Sequence, residues 1–549
     1  MKTALVSLNV SYIHKNLALR YLMVTKPSDQ EARIFEGLCK APLGLLDELL
    51  AYQPDIVAFS VYIFNIEATI SLIQALKQAH PNLKIVAGGP EATHHPQPLW
   101  ENGIDGIFRG ETELVFWPTL TGNPTEGYQD HPDTQAKILI ADLKELERFP
   151  SPYFLECDKA DMDKRYLYAE TARGCPYGCT YCMASLDRKV RFFSDEAMDA
   201  FFVQLKTSGV RQVKFLDRTF NVNKARALHL AKACLAMPES MHFHVELVGD
   251  TLDSDLKDLL ISKGKDRFRM EIGVQSLNLK TLAEVGRTSD LNKLLRLIED
   301  FAHHDMMQHV DLIAGLPYED LTSFKASYKG LVKLKPHEIQ VGILKLLHGS
   351  VIRKKAQDYG IISDETAPYQ IKESRWMNAE DILSLERVAL ATEKAYNSQK
   401  LKAELDHMFE DADLEPYNVM EKLGLKISQL AHPYTNQDFY KALYEGLCEW
   451  IPDDNAKTLI NHAYYKNTTL YPPALFHVSA DKSRLNALRE TLALTQKDKH
   501  LVLIDRFDGK KGTECWIYSA SPSNKRCVIL NEFDQPEKEN HETFTRHSQ

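Results

Sequence analysis

Arg173-Gly-Cys-Pro-Tyr-Gly-Cys-Thr-Tyr-Cys182 places three cysteines, Cys175, Cys179 and Cys182, at C-x3-C-x2-C spacing. A four-iron cluster is closed when each iron carries a thiolate, and ferredoxin-type runs supply four cysteines. Three cysteines leave one iron open, and an open metal position can chelate a small molecule. Gly174, Pro176 and Gly178 suit a loop that wraps a bulky group with its backbone close by. A zinc knot with a distant fourth ligand is the alternative. It fits the spacing less well, because zinc sites favour paired C-x2-4-C elements and no second pair occurs here.

Bulk properties bound the setting of this loop. A chain of 549 residues is too long for one core and predicts roughly three domains. With 44% hydrophobic and 26% charged residues it reads as an ordinary globular protein. The net charge of −10 argues against a large phosphate-binding surface, so nucleic acid is disfavoured as a partner. The start, MKTALVSLNVSYIH, is strand-like and has no signal-peptide pattern, and no run of 18 apolar residues predicts a membrane span. The other six cysteines are scattered and read as ordinary thiols, which points to the cytoplasm.

Over the first 150 residues short apolar runs alternate with helical periodicity. Thr3–Val10, Ile56–Tyr62, Leu83–Gly89 and Gly106–Gly110 read as strands. Ile66, Ile70, Ile73 and Leu76 mark a helix over Ile66–His80. Strand, helix and strand at this length predict a doubly wound parallel sheet, whose ligands bind outside the carboxyl ends of the strands. Asn9, Ser60, Tyr62, Gly88, Gly89, Glu91, Gly110 and Glu111 fall there. Gly88-Gly89 is either a loop approached by a large ligand or a turn that simply closes its strand.

Pro150 and Pro152 open a linker over 151–165. Six strands then alternate with helices: Leu167–Ala172, which delivers the cysteine loop, Val213–Asp217, Phe243–Leu247, Phe268–Ser276, His309–Pro317 and Glu338–Lys345. The series predicts a partial parallel barrel with its chemistry at the carboxyl ends of the strands. Asp217-Arg218-Thr219, Glu246, Glu271, Gln275-Ser276 and Asp311 stand where apolar residues are usual, and inward carboxylates need partners. Those partners are either a bound cation or an ion pair within the barrel. Past residue 366, helices are expected over Ile382–Phe409, from an N-cap at Asp438 to Trp450, and over Asp481–Thr495. His500–Arg506 and Thr513–Ser519 read as a hairpin with Gly509 and Gly512 in its turn, and the last fifteen residues should fray.

The cysteine run resembles the cluster loop of the radical S-adenosylmethionine (radical SAM) enzymes. Tyr181 matches the aromatic residue that usually precedes the last cysteine. DIVAFSVYIFN, KIVAGGPEAT and DGIFRGETE resemble the cobalamin-binding domain found ahead of many radical SAM cores. YIHKNLALRYL, FLDRTFN, EIGVQS, DLIAGLPYED and VGILKLLHGS extend the likeness over roughly residues 1–400. Together they resemble cobalamin-binding-domain radical SAM proteins that carry their own C-terminal domain of unknown function. The implied architecture is α/β: a doubly wound cobalamin-binding-like domain over 1–145, a partial (β/α)6 barrel over 160–365, and a mainly helical domain with a small α+β element over 366–549.

The resemblance also implies roles. Cys175, Cys179 and Cys182 hold a [4Fe-4S] cluster, and Tyr181 sits near the SAM adenine. Asp217 meets the SAM ammonium, Glu246, Gln275 and Ser276 the ribose and carboxylate, and Ile313 and Gly315 flank the adenine. The strand-end residues of the first domain contact cobalamin. One departure is that the D-x-H-x-x-G loop, whose histidine ligates cobalt in some cobalamin enzymes, is absent. His14 lies in the corresponding loop and is the candidate ligand; the other expectation is cobalamin held with no histidine on its lower face. The implied function is a radical SAM enzyme that makes a 5′-deoxyadenosyl radical and C-methylates a small molecule. An electron donor such as flavodoxin or ferredoxin would serve it. A radical rearrangement, cyclisation or oxidation stays open, as does a non-catalytic sensor of cobalamin and cluster.

Overall fold

The computed structural model of the chain describes residues 1–549 apart from 124, 412, 469–474, 477–481, 509, 511, 520–524, 532–534, 537–541 and 544–549. The chain divides into two compact units, Met1–Asp320 with Ile343–Ala379, and Leu321–Gly342 with Glu380–Gln549. Among the described residues no helix is long and apolar enough to cross a membrane.

The first unit opens with a sheet of β1 (Lys2–Asn9), β2 (Glu31–Leu38), β3 (Ile56–Ser60), β4 (Lys84–Gly88), β5 (Gly106–Phe108) and β6 (Tyr128–Gln129), in the order β2-β1-β3-β4-β5-β6. Neighbours are parallel except β5 and β6. Every residue of β1 after Lys2 is buried, as expected where both faces of a parallel sheet are covered. Leu8, Phe59, Ile85 and Ile107 pack with Ile73 and Leu76 of the helix Ile66–Ala79 on one side. Leu5, Ala58, Val86 and Phe108 pack against Phe116 and Trp117 on the other. The strand β2 was not anticipated from the sequence. Only Phe35 of its eight residues is buried, and an edge strand this exposed carries no strong apolar pattern.

A second parallel sheet runs through β7 (Leu167–Ala169), β10 (Gln212–Phe215), β11 (His242–Leu247), β12 (Phe268–Gln275) and β13 (Gln308–Ala314), each hydrogen-bonded to the next in that series. Between β7 and β10, the short strands β8 (Ala172–Arg173) and β9 (Arg191–Phe192) pair antiparallel and close the cysteine loop at its base. The sixth expected strand forms over Glu338–Ile343. Helices after the strands begin on side-chain caps: Ser194, Asn223, Asp253, Asn278 and Asp290 each accept a backbone N–H of the first turn. Burial alternates strictly along β12 and β13. Met270, Ile272 and Val274 are fully buried. Glu271, Gly273 and Gln275 on the other face are only half-buried, so the polar residues of these strands share one side.

In the second unit, helices Leu321–Val332, Ala379–Ala391, Lys402–Met408, Pro416–Ser428, Asn436–Leu447, Asp453–Asn467 and Lys482–Thr491 precede an antiparallel sheet of Asp498–Asp505, Thr513–Ser519, Arg526–Leu530 and Glu542–Thr543. The single helix expected over Ile382–Phe409 is broken by a π-turn at Thr392–Asn397. The Asn397 amide accepts from the Ile339 N–H and donates to its carbonyl, and Gln399 follows with φ 59°. The expected N-cap at Asp438 is corrected to Thr435. Asp438 is the third helical residue, and its carboxylate closes a capping box onto Thr435. Asp481, Gly509 and most of the last fifteen residues lie outside the described residues.

Candidate functional site

The pairing of β8 with β9 brings both ends of the cysteine loop together, and glycine makes the loop possible. Gly174 has φ 89°, and a Cβ there would stand 2.4 Å from the Lys189 carbonyl. The Cys175 N–H donates to the Asp187 carbonyl at 2.9 Å, and the Thr180 N–H to the Val285 carbonyl at 2.9 Å. Gly286 has φ 70° and lets the chain after helix Leu279–Glu284 pass close to the Gly178 carbonyl. The loop is therefore clamped from two sides.

All three thiols line one cavity of about 170 Å³ within the first unit. Cys175 and Cys179 are buried and Cys182 half-buried. Among the described residues no three Cys, His, Asp or Glu side chains converge closely enough to hold a single ion. Three thiols around one shared cavity suit a cluster, in which each cysteine would bind a different iron. Arg287 adds a cation: its Nη1 lies 4.0 Å from Cys179 Sγ, and its other nitrogen donates to the Gly273 carbonyl. Thr219 Oγ1 is 4.0 Å from Cys175 Sγ.

Of the SAM candidates, Tyr181, Glu246 and Gln275 line the same cavity. Gln275 has φ 71° at a register shift between β12 and β13, a bulge that re-aims its side chain. Its Oε1 is buried without a partner, an orphaned acceptor suited to a bound donor. Glu246 is pushed up to about 7 by burial, with Arg218 opposing and Glu271 and Asp311 adding to the rise. Its ion pair with Arg218 spans 3.4 Å. Glu271 is held below its ordinary value by a hydrogen bond from His244 at 3.0 Å. Burial raises Asp311, which stands 3.2 Å from His309 Nε2.

Asp217, Ser276, Ile313 and Gly315 sit outside the cavity lining. Asp217 accepts from the Thr171 N–H at 2.9 Å and hydroxyl at 2.5 Å, and burial lifts it to about 6. Ser276 is fully buried and donates to Glu319 at 2.6 Å. Ile313 shares the half-buried face of Asp311, and Gly315 follows β13 with φ 86°. Arg287 was missed in the sequence. Its signal was available only as a basic residue after Gly286, and nothing in its spacing links it to Cys179.

The strand-end residues of the first sheet are engaged largely with the chain itself. Asn9 Nδ2 donates to the His14 carbonyl, Ser60 Oγ accepts from Asn16, and the Tyr62 N–H donates to Asn65. Gly88 carries a carbonyl that accepts from Val61, and Gly89 has φ 104° where a Cβ would meet the Val61 carbonyl at 2.5 Å. Glu91 accepts from the Tyr369 hydroxyl at 2.8 Å, and Gly110 donates to Thr93. Glu111 is paired with Arg173 and Arg191. His14 Nδ1 lies 2.6 Å from the Tyr168 hydroxyl. What this edge offers a large ligand is apolar: Val10, Tyr12 and Phe64, in the loops after β1 and β3, are 60%, 58% and 48% exposed. A corrin face would cover such a rim.

Comparison with known proteins agrees with this geometry. The B12 binding domain family matches residues 4–116, the Radical SAM superfamily residues 170–330, and a family of unknown function, DUF4080, residues 357–512. The cobalamin-dependent radical SAM methyltransferase TokK of Streptomyces tokunonensis is 25% identical over 350 residues, 56% of this chain and 50% of TokK. The anaerobic magnesium-protoporphyrin IX monomethyl ester cyclase of Rubrivivax gelatinosus is 22% identical over 312 residues, 52% of this chain and 55% of the cyclase. The chain thus spans about half the length of these curated relatives. Among solved structures, the cobalamin-dependent S-adenosylmethionine radical enzyme OxsB superposes with a TM-score of 0.57 at 14% identity, over 90% of this chain and 75% of OxsB. The first domain implies cobalamin, and the second a [4Fe-4S] cluster and SAM. The chain therefore carries, in order, a B12 binding domain, a radical SAM domain and a DUF4080 domain.

Proposed function

We propose that the chain is a cobalamin-dependent radical SAM enzyme that C-methylates a small-molecule substrate. The observation that carries the reading is the single cavity into which Cys175, Cys179 and Cys182 face together with Glu246, Gln275 and Arg287. When bound, the cluster and SAM supply a 5′-deoxyadenosyl radical and cobalamin a transferable methyl group. The three cysteines hold the cluster, and Arg287 offsets negative charge beside Cys179. Gln275 offers its buried acceptor to a donor on SAM, Glu246 accepts from the ribose hydroxyls, and Tyr181 borders the adenine. Asp217 and Ser276 act behind this shell: Asp217 holds Thr171 at the start of the cysteine loop, and Ser276 locks the bulge that aims Gln275. Val248 and Leu247 complete an apolar part of the wall that keeps water away.

Val10, Tyr12 and Phe64, at the carboxyl edge of the first sheet, would hold cobalamin. His14 is engaged by the Tyr168 hydroxyl and would not be needed as its ligand. A one-electron donor such as flavodoxin or ferredoxin would serve the cluster, in the cytoplasm, where thiols stay reduced. The test is anaerobic. The protein is purified with cobalamin in the medium, reconstituted with iron and sulfide, and given dithionite and methyl-labelled SAM with candidate substrates. Corrin absorbance, 5′-deoxyadenosine and label in the product are expected. 5′-Deoxyadenosine with an unlabelled, altered product would favour cyclisation, the activity named for the Rubrivivax relative. No SAM cleavage from a sound cluster would overturn both.

A further inference from the structure

The base of the cysteine loop is tied to the first domain through one carboxylate. Glu111 follows Gly110 at the carboxyl end of β5. Its Oε1 accepts from Arg191 Nη2 at 2.8 Å. Its Oε2 accepts from Arg191 Nη1 at 3.0 Å and Arg173 Nη1 at 3.2 Å. Arg173 and Arg191 are directly opposite each other in the β8–β9 pair. Glu111 therefore grips both strands at the point where the loop bearing all three cysteines closes, and Arg173 stands two residues before Cys175.

The grip is built rather than incidental. Glu111 Oε2 also accepts the Ala141 N–H at 2.9 Å, and Arg191 Nη1 donates to the Ala141 carbonyl at 2.8 Å. Arg173 is shared with Glu113 at 2.9 Å and Glu170 at 2.9 Å, and Arg191 with Asp187 at 2.6 Å. A bidentate arginine–carboxylate pair fixes orientation as well as distance. Arg173 is 9% exposed and Arg191 14%, so water screens the contact little.

The backbone at the other end of this tie is the sheet edge where cobalamin is expected. Gly110 has φ 83°, and a Cβ there would meet the Leu139 carbonyl at 2.3 Å, so only glycine lets the chain pass this close. The Glu111 N–H donates to that same carbonyl at 2.9 Å. A ligand that orders this edge orders the carboxylate at its end, and coupling between two sites is reciprocal.

We infer that Glu111 is a positioning residue that couples cobalamin binding on the first domain to retention of the cluster in the second, through Arg173 and Arg191. The inference rests on the cofactors assigned under Proposed function. It puts Glu111 on the cluster loop, rather than against the corrin as the family resemblance implied.

The experiment measures iron release to a chelator from the full-length, reconstituted protein, with and without hydroxocobalamin. Corrin absorbance after gel filtration records binding separately. In the native chain cobalamin should slow iron release about tenfold, the scale on which groups behind metal ligands act. Glu111→Gln should still bind corrin and assemble the cluster, while its iron release no longer responds to cobalamin. Arg191→Gln changes no residue of the first domain and should lose the response in the same way, while its corrin absorbance after gel filtration reports that the domain is still folded. A Glu111→Gln or Arg191→Gln protein protected like the native chain would overturn the inference. So would a native chain that binds corrin without protection. A native chain that binds no corrin would instead overturn the functional reading beneath it.

Discussion

Cys179 and Glu246 show how differently single residues declare themselves. Cys179 is placed by spacing alone, and the structure adds Arg287 beside it. Cys179→Ala should abolish the cluster and SAM cleavage together. Iron and sulfide analysis checks the first and 5′-deoxyadenosine the second, and full iron content with retained cleavage would remove the cysteine from the cluster. Glu246 lies in a strand-like run whose sequence leaves a ligand and an ion pair equally open. Its carboxyl, ordinarily at 4.5, is raised to about 7 in the folded chain, chiefly by burial. The native state therefore holds a proton that the unfolded state has lost between those values. The stability it contributes is full below pH 4.5 and fades as pH rises through 7. In cofactor-free protein, Glu246→Gln should flatten this slope by on the order of 2 kcal/mol between pH 5 and pH 8, read from denaturant midpoints. An unchanged slope would mean that Glu246 is solvated.

Elements were legible where one face is apolar and illegible where neighbours decide. The helix Ile66–Ala79 and the strand Thr513–Ser519 lie where their patterns indicated. The helices Pro416–Ser428 and Asp453–Asn467 were not anticipated, and the first of these depends on a close approach that no local pattern encodes. A Cβ on Gly424 would lie 1.9 Å from the Arg387 carbonyl of helix Ala379–Ala391. Gly424→Ala should force these helices apart and cost about 3 kcal/mol, at the upper end for overpacking. A thermal melt with the native midpoint would show that the helices separate freely. In the same unit, His462 is buried between Glu404 and Glu514, joining helices Lys402–Met408 and Asp453–Asn467 to the strand Thr513–Ser519. Sequence offers no sign of such a contact among three distant segments.

At the scale of the molecule, the first unit is held by charges as well as by apolar packing. Lys15, Arg20 and Glu36 of the first domain meet Asp158, Asp161 and Arg165 of the segment that leads into β7. Arg20 Nη2 stands 2.6 Å from Asp158, with both side chains almost fully buried. Asp158→Ala would leave that guanidinium short of a partner in a dry site. A loss of about 3 kcal/mol is expected, together with a lower melting temperature of the full chain. An unshifted melt would mean that Glu36 alone satisfies Arg20. The sequence by itself determined the cysteine loop, the doubly wound sheet and the alternating barrel strands, because spacing and periodicity are local and survive in one dimension. Tertiary structure alone decided which polar groups face the cavity, that Arg287 reaches Cys179, and that Glu111 pairs with Arg173 and Arg191. Each of those facts depends on strands and loops far apart in the chain being brought within hydrogen-bond distance, where burial and partner charge, not residue type, set what a side chain does.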